Sequence, residues 1–155
     1  MLTLRIITPE RSLPEFQAEH VTIVSVEGEL GIRTGHAAVA ALLKPAGHVL
    51  ARAKSGTVRV TAVLGGVAQV CRDQVVVLAD AAIPADQVDA AKVKARLEHL
   101  RANPPATDAD ASAQAAHRRE IAWLETQLRL PRQVLSRDEM LEHADAHAKA
   151  SNTPH

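Results

Sequence analysis

An N-terminal antiparallel β-sandwich followed by a C-terminal α-helical hairpin, with a short extra helix in the tail, is the fold that this 155-residue sequence predicts. Three observations carry that expectation. All seven glycines lie in residues 1–66 and 13 of 16 valines in 1–84, whereas 16 of 29 alanines fall in 85–155. Glycine serves turns, valine serves strands and alanine is the best helix former. In the front part, short apolar runs alternate with polar residues and are broken by turn signals roughly every ten residues. In the back part, apolar residues recur at helical spacing between caps and prolines. The expected organisation is a sandwich over 1–84, a hairpin over 85–130 and a polar extension over 131–155.

The front elements follow in order. Leu2, Leu4 and Ile6 alternate with Thr3 and Arg5, the period of a half-buried strand. Val21, Ile23 and Ser25 interleave with Thr22, Val24 and Val26, so this strand is apolar on both faces. Glu27-Gly28-Glu29-Leu30-Gly31 reads as a turn-rich connection. Further runs cover 36–43, 47–53, 57–64, 67–71 and 74–79, with Lys54-Ser55-Gly56 and Arg72-Asp73 as hairpin turns. Such spacing indicates a sandwich or barrel.

The back elements begin at Asp86, which caps a helix running to about Ala102 and stopped by Asn103-Pro104-Pro105. Its two apolar stripes, Val93/Leu97/Leu100 and Val88/Ala91/Ala95, predict packing on both sides, one against the sandwich and one against the partner helix. Thr107 and Asp110 resemble a capping box for a second helix reaching about Leu130, with Ile121, Leu124 and Leu128 inside. Ser136 and Glu139 form a capping box for a third, polar helix ending near Lys149, before a frayed end at 150–155.

Composition narrows the function. Lys plus Arg and Asp plus Glu both number 18, so no net charge points to nucleic acid or an anionic surface. Phe16 and Trp123 are the only aromatics, which argues against base- or sugar-stacking sites. Neither a bilayer-spanning apolar run of ~20 residues nor a signal segment is recognisable, so a soluble, cytosolic chain is expected. A single cysteine, Cys71, excludes an internal disulfide framework and reads as a buried structural thiol in a valine-rich strand. Phosphate-loop, dinucleotide, GxSxG and HExxH motifs are absent. His143 and His147 share a helix face with Glu139, and His20, His36 and His48 could meet in a sandwich as a cupin-like metal site, though without that family's H-x-H pair. Interaction is better supported. Trp123 stands almost opposite the Ile121/Leu124/Leu128 stripe as a partner-facing aromatic, with Arg119 one turn before it; folding back on the sandwich is the other reading. Arg118 and Arg129 share another face, followed by Arg132 and Arg137, a stripe for an acidic partner or a solvated surface.

Ser25-Val26-Glu27-Gly28-Glu29-Leu30-Gly31-Ile32-Arg33-Thr34-Gly35-His36-Ala37, then Leu42-Leu43-Lys44-Pro45, resembles the EGELGI-x-PGHAPL…LKPG pattern of the epsilon subunit of F-type ATP synthase. Leu64-Gly65-Gly66-Val67-Ala68-Gln69-Val70 and Val75–Ile83 resemble that family's GG-F/I-x-E-V and VTVLAD-x-A segments, in the same order. The resemblance covers about residues 1–130. It implies a non-catalytic rotor subunit on the cytoplasmic face of the bacterial inner membrane, peripheral and without membrane insertion. The family's sandwich clamps the gamma subunit and rests on the c-ring, implying c-ring contact at Glu29, Leu30, Gly31 and His36, the last chiefly shaping the loop. Its hairpin permits turnover when folded down and blocks ATP hydrolysis when extended, implying contact of Arg118, Arg119 and Arg129 with the catalytic beta subunits, alongside alpha.

Departures from the pattern carry expectations of their own. The family's nucleotide motif [IL]-D-x-x-R-A stands here as Val88-Asp89-Ala90-Ala91-Lys92-Val93. Lys92 keeps a charge but lacks the planar guanidinium fork, so ATP binding at Asp89 and Lys92 is expected to be weak or absent, and no other cofactor is implied. Thr34 replaces the usual proline. A cupin-like metal-binding enzyme and a free-standing adaptor remain as alternatives.

Overall fold

The computed structural model describes residues 1–131. The third helix expected from Ser136, the His143/His147/Glu139 group, Arg132 and Arg137 lie outside the described residues. Ten strands form two five-stranded sheets: β1 (Leu2–Ile7), β2 (Phe16–Ala18), β3 (His20–Ser25), β4 (Gly28–Arg33), β5 (Val39–Leu42), β6 (Gly47–Arg52), β7 (Val58–Leu64), β8 (Val67–Cys71), β9 (Gln74–Leu78) and β10 (Ala81–Pro84). One sheet has the order β2-β1-β9-β8-β5 and the other β10-β7-β6-β3-β4. All pairings are antiparallel except β1 with β9, which lie far apart in sequence and are freed from the hairpin constraint.

Alternation dictates the core. Leu2, Leu4 and Ile6 of β1 meet Val75 and Val77 of β9, and Val21 and Ile23 of β3 meet Ile32, Val49 and Ala51 across the second sheet, in one buried cluster. The β8–β9 turn holds Arg72 at φ 49° and Asp73 at φ 62°, the paired positive angles of a two-residue hairpin that matches strand twist. Asp73 also accepts a hydrogen bond from the Gly35 N–H at 2.7 Å, tying this turn to the end of β4.

Several elements differ from expectation. Glu27–Gly31 is largely strand: β4 pairs with β3 from Ser25↔Gly28 to His20↔Arg33. As an edge strand it fully buries only Ile32, so its two glycines mask the alternation. β2 and β10 are short edge strands, and each gives too few residues for a period to register. Cys71 is exposed, not buried. Ala68 and Val70 point inward, and strand alternation turns Cys71 outward with Gln69.

The sandwich gives way after Pro84 to a 3₁₀ turn (Ala85–Gln87), then α1 (Ala90–Ala102) and α2 (Ala111–Leu128). Asp89, not Asp86, caps α1, accepting from the Lys92 N–H at 3.2 Å, because Asp86 is consumed by the 3₁₀ turn. Asp110 itself caps α2, accepting from the Ala113 N–H at 2.7 Å, which leaves Thr107 in the preceding turn. Val93, Leu97 and Leu100 pack with Leu124, Ile121 and Leu128 in a cluster separate from the sandwich core. Ala91 and Ala95 are exposed, so α1 does not bury two faces. The helix with two partners is α2. On the outward face of the second sheet, Val58, Val60 and Ala62 of β7 are buried, and α2 lies against β6 and β7 there.

Candidate interaction surfaces

The β3–β4 hairpin is closed by Ser25, whose Oγ donates to the Gly28 carbonyl at 2.8 Å and accepts from the Glu27 N–H at 3.2 Å. Beyond this turn Glu29 is exposed, Leu30 turns inward against the core and Gly31 faces outward. A Cβ on Gly31 would lie 3.1 Å from Nε2 of His20, so the imidazole rests across the bare backbone of β4. His36 lies past the far end of the strand, where its N–H donates to the Arg33 carbonyl at 3.0 Å. Glu29 and Arg33 are four strand steps apart, about 13 Å, so the hairpin tip and His36 occupy opposite ends of β4. Glu29 and Leu30 instead share a cleft with exposed Val26 and with Leu42 of β5. His48, on neighbouring β6, is half-buried; burial pushes its pKa below the ordinary 6.5, partly opposed by the Glu29 charge.

A second surface was hidden from the sequence. Leu42, Val67 and Leu78 are 58%, 37% and 42% exposed, and the register Leu42↔Val67↔Leu78 places them in one row across β5, β8 and β9. Ile7 of β1 continues the row opposite Leu78. The signal was available: β8 alternates outward Val67 with inward Ala68, but only the register joins it to residues far away in sequence.

The hairpin carries the remaining candidates. Arg118 is exposed, and Arg129 pairs with Glu125 at 3.6 Å. Arg119 points elsewhere: its Nη2 donates to Asp80 Oδ2 at 2.5 Å, joining α2 to the β9–β10 connection. Arg119, Trp123 and Gln127 succeed one another at four-residue spacing and share a face. That face, with Arg119 held by Asp80 and Gln127 buried, turns toward the sandwich, and Trp123 is half-buried on it. Asp80 was the residue that sequence reasoning missed, because nothing in the chain marks it as the partner of an arginine 39 residues away. Asp89 is committed to the α1 cap, and Lys92 is exposed beside it. Among the described residues no three His, Cys, Asp or Glu side chains gather as a metal site, so His20, His36 and His48 do not meet.

A β-sandwich of two five-stranded sheets bearing a docked two-helix hairpin, with an apolar row exposed across three strands, is the form of an interaction module. Residues 1–85 match the family described as the beta-sandwich domain of the ATP synthase delta/epsilon chain. The chain is 38% identical over 127 residues to the ATP synthase epsilon chain of Moorella thermoacetica, covering 79% of this chain and 93% of that one. It is likewise 38% identical over 128 residues to the epsilon chain of Solibacter usitatus, covering 81% and 94%. Its fold is similar to a chain in the OSCP/F1/c-ring structure of Euglena gracilis mitochondrial ATP synthase, with a TM-score of 0.67, 23% identity and coverage of 81% and 78%. The chain belongs to the family of ATP synthase epsilon chains.

Proposed function

We propose that the chain is a non-catalytic central-stalk subunit of a proton-translocating F-type ATP synthase, which passes c-ring rotation to the catalytic head and inhibits ATP hydrolysis through its hairpin. The observation that supports this reading best is the division of the molecule into two packing units. The hairpin has its own apolar cluster and is joined to the sandwich through one face of α2 and the Arg119–Asp80 pair. A unit built in this way can leave the sandwich with both apolar clusters intact, uncovering the Val58, Val60 and Ala62 face of β7.

The partners take two adjoining surfaces that meet at Leu42. The gamma subunit covers the Leu42–Val67–Leu78 row, whose exposure in the isolated chain suits an apolar contact. The c-ring meets the tip of the β3–β4 hairpin, where Glu29 and Val26 are exposed. Through these contacts the chain sits peripherally on the cytoplasmic face of the bacterial inner membrane; among the described residues no helix is long and apolar enough to cross it. The extended hairpin brings Arg118, Arg119 and Arg129 to the catalytic beta subunits and their alpha neighbours. ATP binding by the isolated chain is weak, because the Asp89 carboxylate already caps α1 and Lys92 offers no fork.

Charge reversal tests the inhibitory role. In the assembled enzyme, Arg118→Glu with Arg129→Glu is expected to raise ATP hydrolysis severalfold while leaving the Arg119–Asp80 contact intact. Adding Arg119→Glu is expected to alter docking as well. Hydrolysis rates unchanged by all three reversals would contradict the role.

A further inference from the structure

The two sheets part at one end of the sandwich and leave a cavity of about 160 Å³. Leu4 and Ile6 of β1, Leu13 of the β1–β2 connection and Phe16 of β2 give it an apolar wall. The opposite wall is β7, whose Arg59 and Thr61 point inward, since Arg59 pairs with Ala51 and Thr61 with Val49, both in the core. The Arg59 guanidinium lies over the Phe16 ring at 4.5 Å. It makes no ion pair among the described residues. Thr61 is only 2% exposed, and its hydroxyl makes no hydrogen bond among them. No side-chain oxygen or nitrogen of these residues is both sealed off and unpartnered, so that hydroxyl opens onto the cavity. The rim is braced by Arg11, which donates to Gln87 Oε1 at 3.2 Å and to the Ala82 carbonyl at 2.9 Å.

We infer that this cavity is a binding site for a short-chain aliphatic monocarboxylate. An unpaired guanidinium presents a planar fork that fits a carboxylate, and stacking on Phe16 holds it in place. The Thr61 hydroxyl adds a donor beside it. Both groups face an apolar wall, which calls for a ligand with a hydrocarbon tail and one charged end. Asp86 at the rim disfavours a second negative charge. Size follows from volume: an apolar cavity of ~150 Å³ holds benzene, so a ligand of about six to eight non-hydrogen atoms fits, from butanoate to hexanoate. The inference stands on the isolated chain and is independent of any role in a rotary complex.

The test is titration of the full-length chain with butanoate, hexanoate and butanamide, followed by calorimetry and by amide chemical shifts. The expected result is saturable carboxylate binding with a Kd on the order of 1 mM or tighter. Shifts should centre on Arg59, Thr61 and Leu4, and butanamide should bind at least about tenfold more weakly. Arg59→Gln should lose about tenfold or more in carboxylate affinity, and Thr61→Val a smaller factor. Absence of saturation, butanamide binding as tightly as butanoate, or shifts centred elsewhere would overturn the site. The butanoate–butanamide comparison uses the unaltered chain, so it decides the matter even if a variant folds poorly.

Discussion

Gly66 sits at φ +99°, and a Cβ there would run into the Leu78 carbonyl and come within 2.8 Å of Ala79 Cα. Backbone angle and crowding act together, so Gly66→Ala is expected to cost at least about 2 kcal/mol and lower the Tm by roughly 5 °C or more in a thermal melt. Gly56, at φ +93° with open space around it, isolates the backbone term, and its alanine variant should cost only about 1 kcal/mol. His48 makes a different prediction. Burial lowers its folded pKa, so below pH 6.5 the unfolded chain takes up a proton that the folded chain resists. Stability therefore falls as pH drops from 6.5 toward the folded value and is unaffected by His48 above 6.5. His48→Gln should flatten that slope in denaturant melts across pH 5–7, and Glu29→Gln should lower the His48 pKa further in an NMR titration. Residue roles were legible where local chemistry sets them, as in Arg72-Asp73, whose turn needs two positive φ angles. They were illegible where a register or a distant partner decides, as for Cys71 and Asp80.

At the scale of elements, the separation of the two apolar clusters matters most. The Ile121/Leu124/Leu128 stripe was readable because helical period alone defines it, and Val93/Leu97/Leu100 likewise. Which helix faces the sandwich was not, since Ala91 and Ala95 satisfy an apolar pattern without being buried and Trp123 on α2 could face either way. The Arg119–Asp80 contact is short but half-exposed on both sides, so screening limits its worth. A double-mutant cycle with Arg119→Ala and Asp80→Ala, read by equilibrium unfolding, is expected to give a coupling energy of no more than about 1 kcal/mol. A coupling well above that value would mean that the hairpin is anchored, contrary to a detachable unit. The apolar cluster of Val93, Leu97, Leu100 and Leu124 joins α1 to α2, with the part-exposed pairs Arg96–Glu120 at 2.8 Å and Arg101–Glu125 at 2.6 Å along its edge.

For the molecule as a whole, a sandwich followed by helices was readable from where glycine, valine and alanine fall, and the family from the segment Glu27–His36. The surfaces were less so. The apolar row of Leu42, Val67 and Leu78 draws one residue from each of three strands, and no linear pattern announces it. The same applies to Glu29 and His36, seven residues apart in sequence yet at opposite ends of β4. The proposed role requires the chain to be held in a rotor through that row, and capture of assembled complexes tests this most directly. Tagged wild-type chain expressed with its own ATP synthase should retain gamma, together with alpha and beta, through purification. Leu42→Glu with Val67→Glu, both at exposed positions, should lose gamma while keeping the native melting temperature within a few degrees. Failure of the wild-type chain to retain gamma, or undiminished retention by the folded double variant, would contradict the account.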